Sequence, residues 1–306
     1  MLTRAKARVR ARLNAFFLDQ LQPLIATIDK SDEANRGQIK ALQARIDQLE
    51  QIVFKLEESH YRAIGELRPR RDQIFVGEAD NFKAVGELFL GHFKVLGALQ
   101  PDETVLEVGC GIGRIAIPLT KFLTSGRYEG FDIVPSGISW CQENITTQYP
   151  NFNFQLADLY NKFYNPGGKL TAQAFVFPYD NGSFDFVFLT SVFTHLLAAD
   201  MEHYLREIER VMKPGGLCLI TYFIWNEDSA RLISEGKSPL TFSHELQTCR
   251  VQDPAVPESA VCYDERFIVS LYERCGLKIH LPIQYGGWCG RQHFLDGQDI
   301  IVASKP

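Results

Sequence analysis

The stretch TVLEVGCGIGR, residues 104–114, decides how the chain folds. Its first five residues are a short β-branched and apolar run of the length a buried strand needs. Glycines then alternate at 109, 111 and 113, and a helix is expected near 113–124. That succession puts the glycines at the carboxyl end of a strand, where open α/β sheets bind their ligands. Glycine there lets a ligand approach the backbone without meeting a Cβ. By itself the turn is weakly specific, because dinucleotide enzymes use a similar one.

Strands and helices alternate outward from this turn. Strands are expected near 104–108, 127–132, 152–156, 184–189 and 217–223, and further helices near 136–147 and 200–212. Such alternation marks a parallel α/β sheet. The helix near 200–212 turns Leu205, Ile208 and Met212 to one side, takes Asp200 as its cap and stops at Pro214, Gly215 and Gly216. Residues 224–262 contain Pro239, Pro254 and Pro257 and show no strong periodicity, which suggests a lid or an acceptor-recognition insert. A helix near 264–275 follows. Strands beginning at Leu277 and Asp299, with no helix between them, read as an antiparallel hairpin at the sheet edge.

Acids around the glycines narrow the ligand. Asp132 ends the second strand and Asp158 follows the third. A carboxylate at the first position can accept two ribose hydroxyls, and one at the second an adenine amino group. Glu107 can face an ammonium. Three acids suit a sulfonium donor without phosphates and would repel a pyrophosphate. Taken singly, each could instead be a turn residue or a helix cap.

Net charge −5 over 306 residues gives no general attraction to nucleic acid. Arg4, Lys6, Arg8, Arg10 and Arg12 form one basic cluster, but their spacing spreads them around a helix, as at a solvated helix end. Seven scattered cysteines without a CxxC pair suggest neither a disulfide framework nor a zinc site. No run reaches the length of a membrane span, and the first residues lack a signal-peptide core, so a cytoplasmic protein is expected.

Ile39, Leu42, Ile46, Leu49, Val53 and Leu56 alternate spacings of three and four. β-branched residues at a and leucine at d favour a parallel coiled-coil dimer, with Arg45 facing Glu50 of the partner. Leu18, Leu21, Ile25 and Ile28 keep the register upstream. An amphipathic helix packed on its own domain is the alternative. The expected domains are a helical oligomerisation region over 1–58 and an α/β domain over 59–306.

The segments EVGCGIGR, GFD at 130–132, AD at 157–158, SFDFVFLTSVFTHL at 183–196 and EIERVMKPGG at 207–216 resemble the motifs of class I S-adenosylmethionine-dependent methyltransferases. The resemblance spans roughly residues 80–306, and is greatest to the branch of quinone-biosynthesis and bacterial glycan or natural-product enzymes. It implies a Rossmann-like, mostly parallel seven-stranded sheet ending in a hairpin. It further implies a donor held by Gly109, Gly111, Gly113, Asp132 and Asp158, with the adjoining Ile133 and Leu159, and Thr190 near the methionine part. One departure is the insertion LYNKFYNPGGKLTAQAFVFPYD at 159–180, which alters the loop that carries Asp158.

Methyl transfer from a sulfonium is an in-line displacement in which positioning does most of the work. His195, just past the fourth strand, is either a general base or a residue that organises its loop. The Asn/Asp-Pro-Pro-Tyr sequence that relatives use to grip a nucleobase amino group is missing. Trp225, Tyr263, Tyr285 and Trp288 could stack on a sugar, and Arg291 could pair with an acidic acceptor; core packing or a solvated arginine are the alternatives. The expected activity is O-methylation of a sugar hydroxyl on a glycan or glycosylated metabolite by a coiled-coil dimer. Another small molecule or a protein could be the acceptor instead. From other classes, a nicotinamide-dependent oxidoreductase and a non-catalytic coiled-coil scaffold compete.

Overall fold

Strand β1 (Thr104–Val108) shows why this sequence makes an α/β sheet. Leu106 and Val108 point into one apolar cluster and Val105 into another, as the period of two dictates. Both faces are buried, so apolar residues stand on both sides of the strand, and Glu107 among them is a buried acid. The computed structural model describes residues 36–63, 65–162 and 164–306. The chain divides into two units after Glu66.

In the first unit, α1 runs from Arg36 to Ala63, past the expected boundary at 58. The change of composition near 59 brings His60 and Tyr61, which a helix tolerates. Leu42, Leu49, Val53 and Leu56 are all exposed on α1. The upstream register and the basic cluster lie outside the described residues.

The second unit is built on a seven-stranded sheet. To β1 it adds β2 (Arg127–Asp132), β3 (Phe152–Leu156), β4 (Phe184–Leu189), β5 (Met212–Tyr222), β10 (Lys278–Gln284) and β11 (Asp299–Ser304), in the order β10-β11-β5-β4-β1-β2-β3. The first five strands run parallel. β11 lies antiparallel to β5, and β10 antiparallel to β11 at the edge. Helices α2 (Phe82–Leu96), α3 (Ala116–Leu119) and α4 (Pro135–Cys141) pack on one face, and α5 (Ala198–Val211) and α7 (Glu265–Arg274) on the other. Among the described residues no helix is long and apolar enough to cross a membrane.

Three details differ from expectation. The helix expected near 113–124 shrinks to Ala116–Leu119. Pro118 offers no N–H there, and Thr120 turns its hydroxyl back to Ile117 O at 2.6 Å. Asp200 does not cap α5: the helix begins at Ala198 after Leu197, and Asp200 sits in its first turn, where a carboxylate favours the helix dipole. Pro214–Gly216 lies inside β5, at a register shift against β4, with Gly215 at φ +78°.

Residues 224–262 fold into a second, four-stranded sheet. It comprises β6 (Ile224–Trp225), β7 (His244–Glu245), β8 (Cys249–Val251) and β9 (Val261–Asp264), in the order β6-β9-β8-β7, with α6 (Glu227–Ser234) after β6. Strands of two to four residues are too short to show alternation in a sequence. Phe242, Cys262, Trp288, Cys289 and Leu232 form its core.

Asp299, fully buried at the start of β11, ties this sheet to the large one. Its carboxylate accepts from Ile224 N (2.7 Å), Gly286 N (2.7 Å), Trp288 Nε1 (2.6 Å) and Arg291 Nη1 (3.3 Å). Burial pushes its pKa up to about 6 against these donors. Removing one member of a buried ion pair leaves the other uncompensated. We expect Asp299→Ala to lose about 3 kcal/mol in urea unfolding, the low end for such a pair because Arg291 keeps Asp228 at 2.9 Å. A loss below about 1 kcal/mol would remove Asp299 as the tie.

Candidate active site

The turn after β1 is folded back onto β2. Gly109 N and Cys110 N both donate to Phe131 O, at 2.9 and 3.0 Å. Gly109 has φ +81°, and a Cβ on it would lie 2.5 Å from Val192 Cγ2. Asp132, at the end of β2, accepts Gly111 N at 2.7 Å on one oxygen and Val134 N at 2.9 Å on the other. Each oxygen keeps a further lone pair. Burial raises the Asp132 pKa, and the Val134 and Gly111 amides pull it back.

A cavity of about 410 Å³ opens above this turn. It brings together Glu107, Gly109, Gly111, Asp132, Ile133, Leu159, Thr190 and His195 from the expected set. Gly113 does not line it. A Cβ there would meet Ile145 Cδ1 at 2.7 Å, so this glycine serves the packing of the turn against the segment after α4. Asp158 does not line it either. Its carboxylate is half exposed and lies 3.6 Å from Lys169 Nζ, and its backbone oxygen accepts Leu170 N at 3.0 Å. The insertion folds back through these contacts and draws the acid to its own base.

Glu107 is wholly buried and accepts the Tyr128 hydroxyl at 2.5 Å. Burial pushes its pKa up to about 8, while Tyr128 and Arg114 pull the other way. Arg114 also lines the cavity; its Nη1 donates to Val76 O at 3.2 Å and its buried Nε has no partner among the described residues. A carboxylic group, a guanidinium with a free donor and a carboxylate able to take a diol fit the ammonium, carboxylate and ribose of S-adenosylmethionine. The sequence reading passed over Arg114, although its place directly after the glycines was a usable signal.

After β4 the chain turns sharply at Ser191, which has φ +58°, a strained conformation for a residue with a side chain. Its N–H is held by Thr221 Oγ1 at 2.8 Å and its side chain lies 3.2 Å from Gln298 Oε1. His195 follows. Its Nδ1 lies 3.0 Å from Glu258 O. A carbonyl only accepts, so Nδ1 carries a proton, and in the neutral form of the ring the lone pair is on Nε2.

None of the five expected acceptor residues lines the cavity. Trp225 lies under the Arg250 guanidinium, 4.1 Å from its ring centroid. Tyr263 is buried and donates to Leu196 O at 2.5 Å, supporting the cavity wall from behind. Tyr285 donates to Glu265 at 2.9 Å, and Trp288 to Asp299. Arg291 is nearly buried between Asp228 and Asp299, with no charge to offer an acceptor. Side chains that sequence reasoning missed line the cavity instead: Phe75, Val76, Tyr160 and Tyr164.

Residues 106–220 match the family model described as Methyltransferase domain. The chain is 33% identical over 112 residues to a phthiotriol/phenolphthiotriol dimycocerosates methyltransferase of Mycobacterium leprae, covering 37% of this chain and 34% of that one. It is 31% identical over 147 residues to 2-methyl-6-phytyl-1,4-hydroquinone methyltransferase of Synechocystis, covering 48% and 38%. The chain thus spans about a third of the length of these curated relatives. A crystal structure of a Pyrococcus horikoshii protein shares the fold, with TM-score 0.50 at 14% identity over 81% of this chain and 99% of that one.

The Glu107 pKa of about 8 lies above that of an unfolded glutamate, so between the two values the native state holds the extra proton. Stability from this group is full at low pH and falls as pH rises through that window, by about 1.4 kcal/mol per pH unit at the steepest. Glu107→Gln should flatten this part of the profile in urea unfolding between about pH 5 and about pH 8. Parallel profiles for the two proteins would refute the buried proton.

Proposed function

We propose that this chain, whose residues 106–220 match the model of a methyltransferase domain, transfers the methyl group of S-adenosylmethionine to a hydroxyl of an apolar small molecule. The observation that carries this reading is the cavity itself. Its lining combines Glu107, Asp132 and Arg114 with the aromatic Tyr160 and Tyr164 and with His195. S-adenosylmethionine, when bound, supplies an electrophilic methyl on a sulfonium.

The chain's own residues do the rest. Glu107 and Arg114 take the ammonium and carboxylate, and Asp132 the ribose hydroxyls. His195 receives the acceptor's hydroxyl proton on Nε2, with Nδ1–H fixed by Glu258 O. Thr190 and Ser191 line the cavity where the chain turns from β4 toward His195. The printed names of the relatives, a dimycocerosate and a phytyl hydroquinone methyltransferase, support an apolar acceptor. The sugar hydroxyl expected from the sequence has less support, because the four aromatic residues proposed to stack on it do not line the cavity.

Small molecules released from the purified protein should contain S-adenosylmethionine or S-adenosylhomocysteine by mass spectrometry; a nicotinamide dinucleotide would overturn the assignment. With a long-chain hydroquinone as acceptor, His195→Ala should lower kcat by about 100- to 10,000-fold. Undiminished turnover would leave His195 a loop residue.

The exposed a/d row of α1 supports a second proposal, that copies of the chain pair through this helix. Light scattering should give a dimer mass for the protein and a monomer mass for Leu49→Glu/Leu56→Glu. Equal masses would end that proposal.

A further inference from the structure

We infer that the loop formed by residues 159–162 and 164–170 seats the mouth of the cavity on a lipid surface bearing anionic headgroups. Leu159 and Leu170 pair across the base of this loop, and Tyr160 N donates to Leu170 O at 2.8 Å. Tyr160 and Leu170 are therefore neighbours. Asn161 and Asn165 pair in turn, and Tyr164 N donates to Asn161 Oδ1 at 3.0 Å, which holds Tyr164 in the tip between them.

Tyr160 and Tyr164 line the cavity, yet they are 55% and 47% exposed. Residues that do both stand at an opening. Leu170 beside them is 41% exposed. Leu156 and Val176, flanking the loop in the chain, are exposed as well. Exposed apolar side chains scattered singly need no explanation, whereas a group around an opening marks an interaction site.

Charge identifies the partner. From Leu156 to Val176 the chain carries Lys162 and Lys169 against Asp158 alone, a local excess of one positive charge in a chain of net charge −5. Both lysines are exposed. Tyrosine rings beside lysines suit the headgroup level of a bilayer, where the ring sits between apolar and wet layers and the ammonium meets anionic lipid. An apolar acceptor dissolves in that bilayer rather than in water, so a mouth resting on it gives the acceptor a dry route to His195. That last step rests on the reading of the site as a methyltransferase for apolar acceptors; attachment to the surface does not.

The test is sedimentation of the full chain with vesicles of phosphatidylcholine and phosphatidylglycerol in equal parts, and with phosphatidylcholine alone. The mixed vesicles should retain the protein, less so at raised salt. Lys162→Gln should weaken that binding about fivefold, and Lys169→Gln less, because the Lys169 ammonium already faces Asp158 at 3.6 Å. Leu170→Asn should weaken binding to both kinds of vesicle. No retention on mixed vesicles, or retention unchanged in every variant, would overturn the inference. So would a shift in oligomeric mass with Leu170→Asn in the absence of vesicle binding, since the face would then belong to a second copy of the chain. Vesicle binding without methyl transfer upholds the surface and counts against the apolar acceptor, whereas turnover without vesicle binding does the reverse.

Discussion

One carboxylate holds the cavity in shape. Asp132 reaches from the end of β2 to the Gly111 amide in the turn after β1, and at the same time accepts the Val134 amide that starts its own loop. With Gly109 and Cys110 bonded to Phe131 O, the glycine turn is fixed to the neighbouring strand at three amides. Glycines at positive φ lose more backbone freedom on ordering than other residues, and these bonds offset that loss. The same arrangement keeps a buried carboxylate hydrogen-bonded, which its burial requires. Structure and binding are thus served by the same two oxygens, since their remaining lone pairs are what the proposed donor would use.

On the other side of the cavity the supporting element is the small sheet. Glu258 O accepts from His195, and Leu196 O accepts from Tyr263 of β9. Residues 224–262, expected as a lid or an acceptor-recognition insert, thus touch the turn that carries His195 through Glu258 O, and Asp299 joins Ile224 of this segment to β11. The aromatic residues expected to face an acceptor were spent here instead. Trp288 and Tyr285 each have a polar hydrogen that must find a partner when buried, and Asp299 and Glu265 supply those partners.

How legible each part was in the sequence follows from how local its cause is. β1 to β4 could be read to the residue because each is five or six residues long, carries aromatic or β-branched residues, and is bounded by turns. The small sheet could not, because β6 and β7 have two residues each and exist through pairing with β9 and β8. Glu107, Asp132 and the glycines were legible as a strand-end pattern. Ser191 was not, since nothing in its identity announces φ +58°; that conformation comes from Thr221 on the adjacent strand. Phe75 and Val76 come from a segment with little regular structure, whose place is set by contacts far along the chain, such as Arg114 to Val76 O. Asp158 was legible as an acid after β3, but the insertion that follows supplies Lys169, and the nearer partner decides where the carboxylate points.

That displacement changes the character of the cavity. Asp158 is not among the lining residues, whereas Leu159, Tyr160 and Tyr164 are. A buried polar group discriminates sharply, because a ligand that fails to pair with it leaves it unsatisfied. An apolar or half-exposed aromatic wall discriminates mainly by size, at about 1–3 kcal/mol per methylene. Glu107, Arg114 and Asp132 are groups of the first kind, and Tyr160 and Tyr164 form wall of the second. The same cavity thus carries both kinds of wall, selective toward whatever faces its acids and Arg114 and tolerant toward whatever faces its tyrosines.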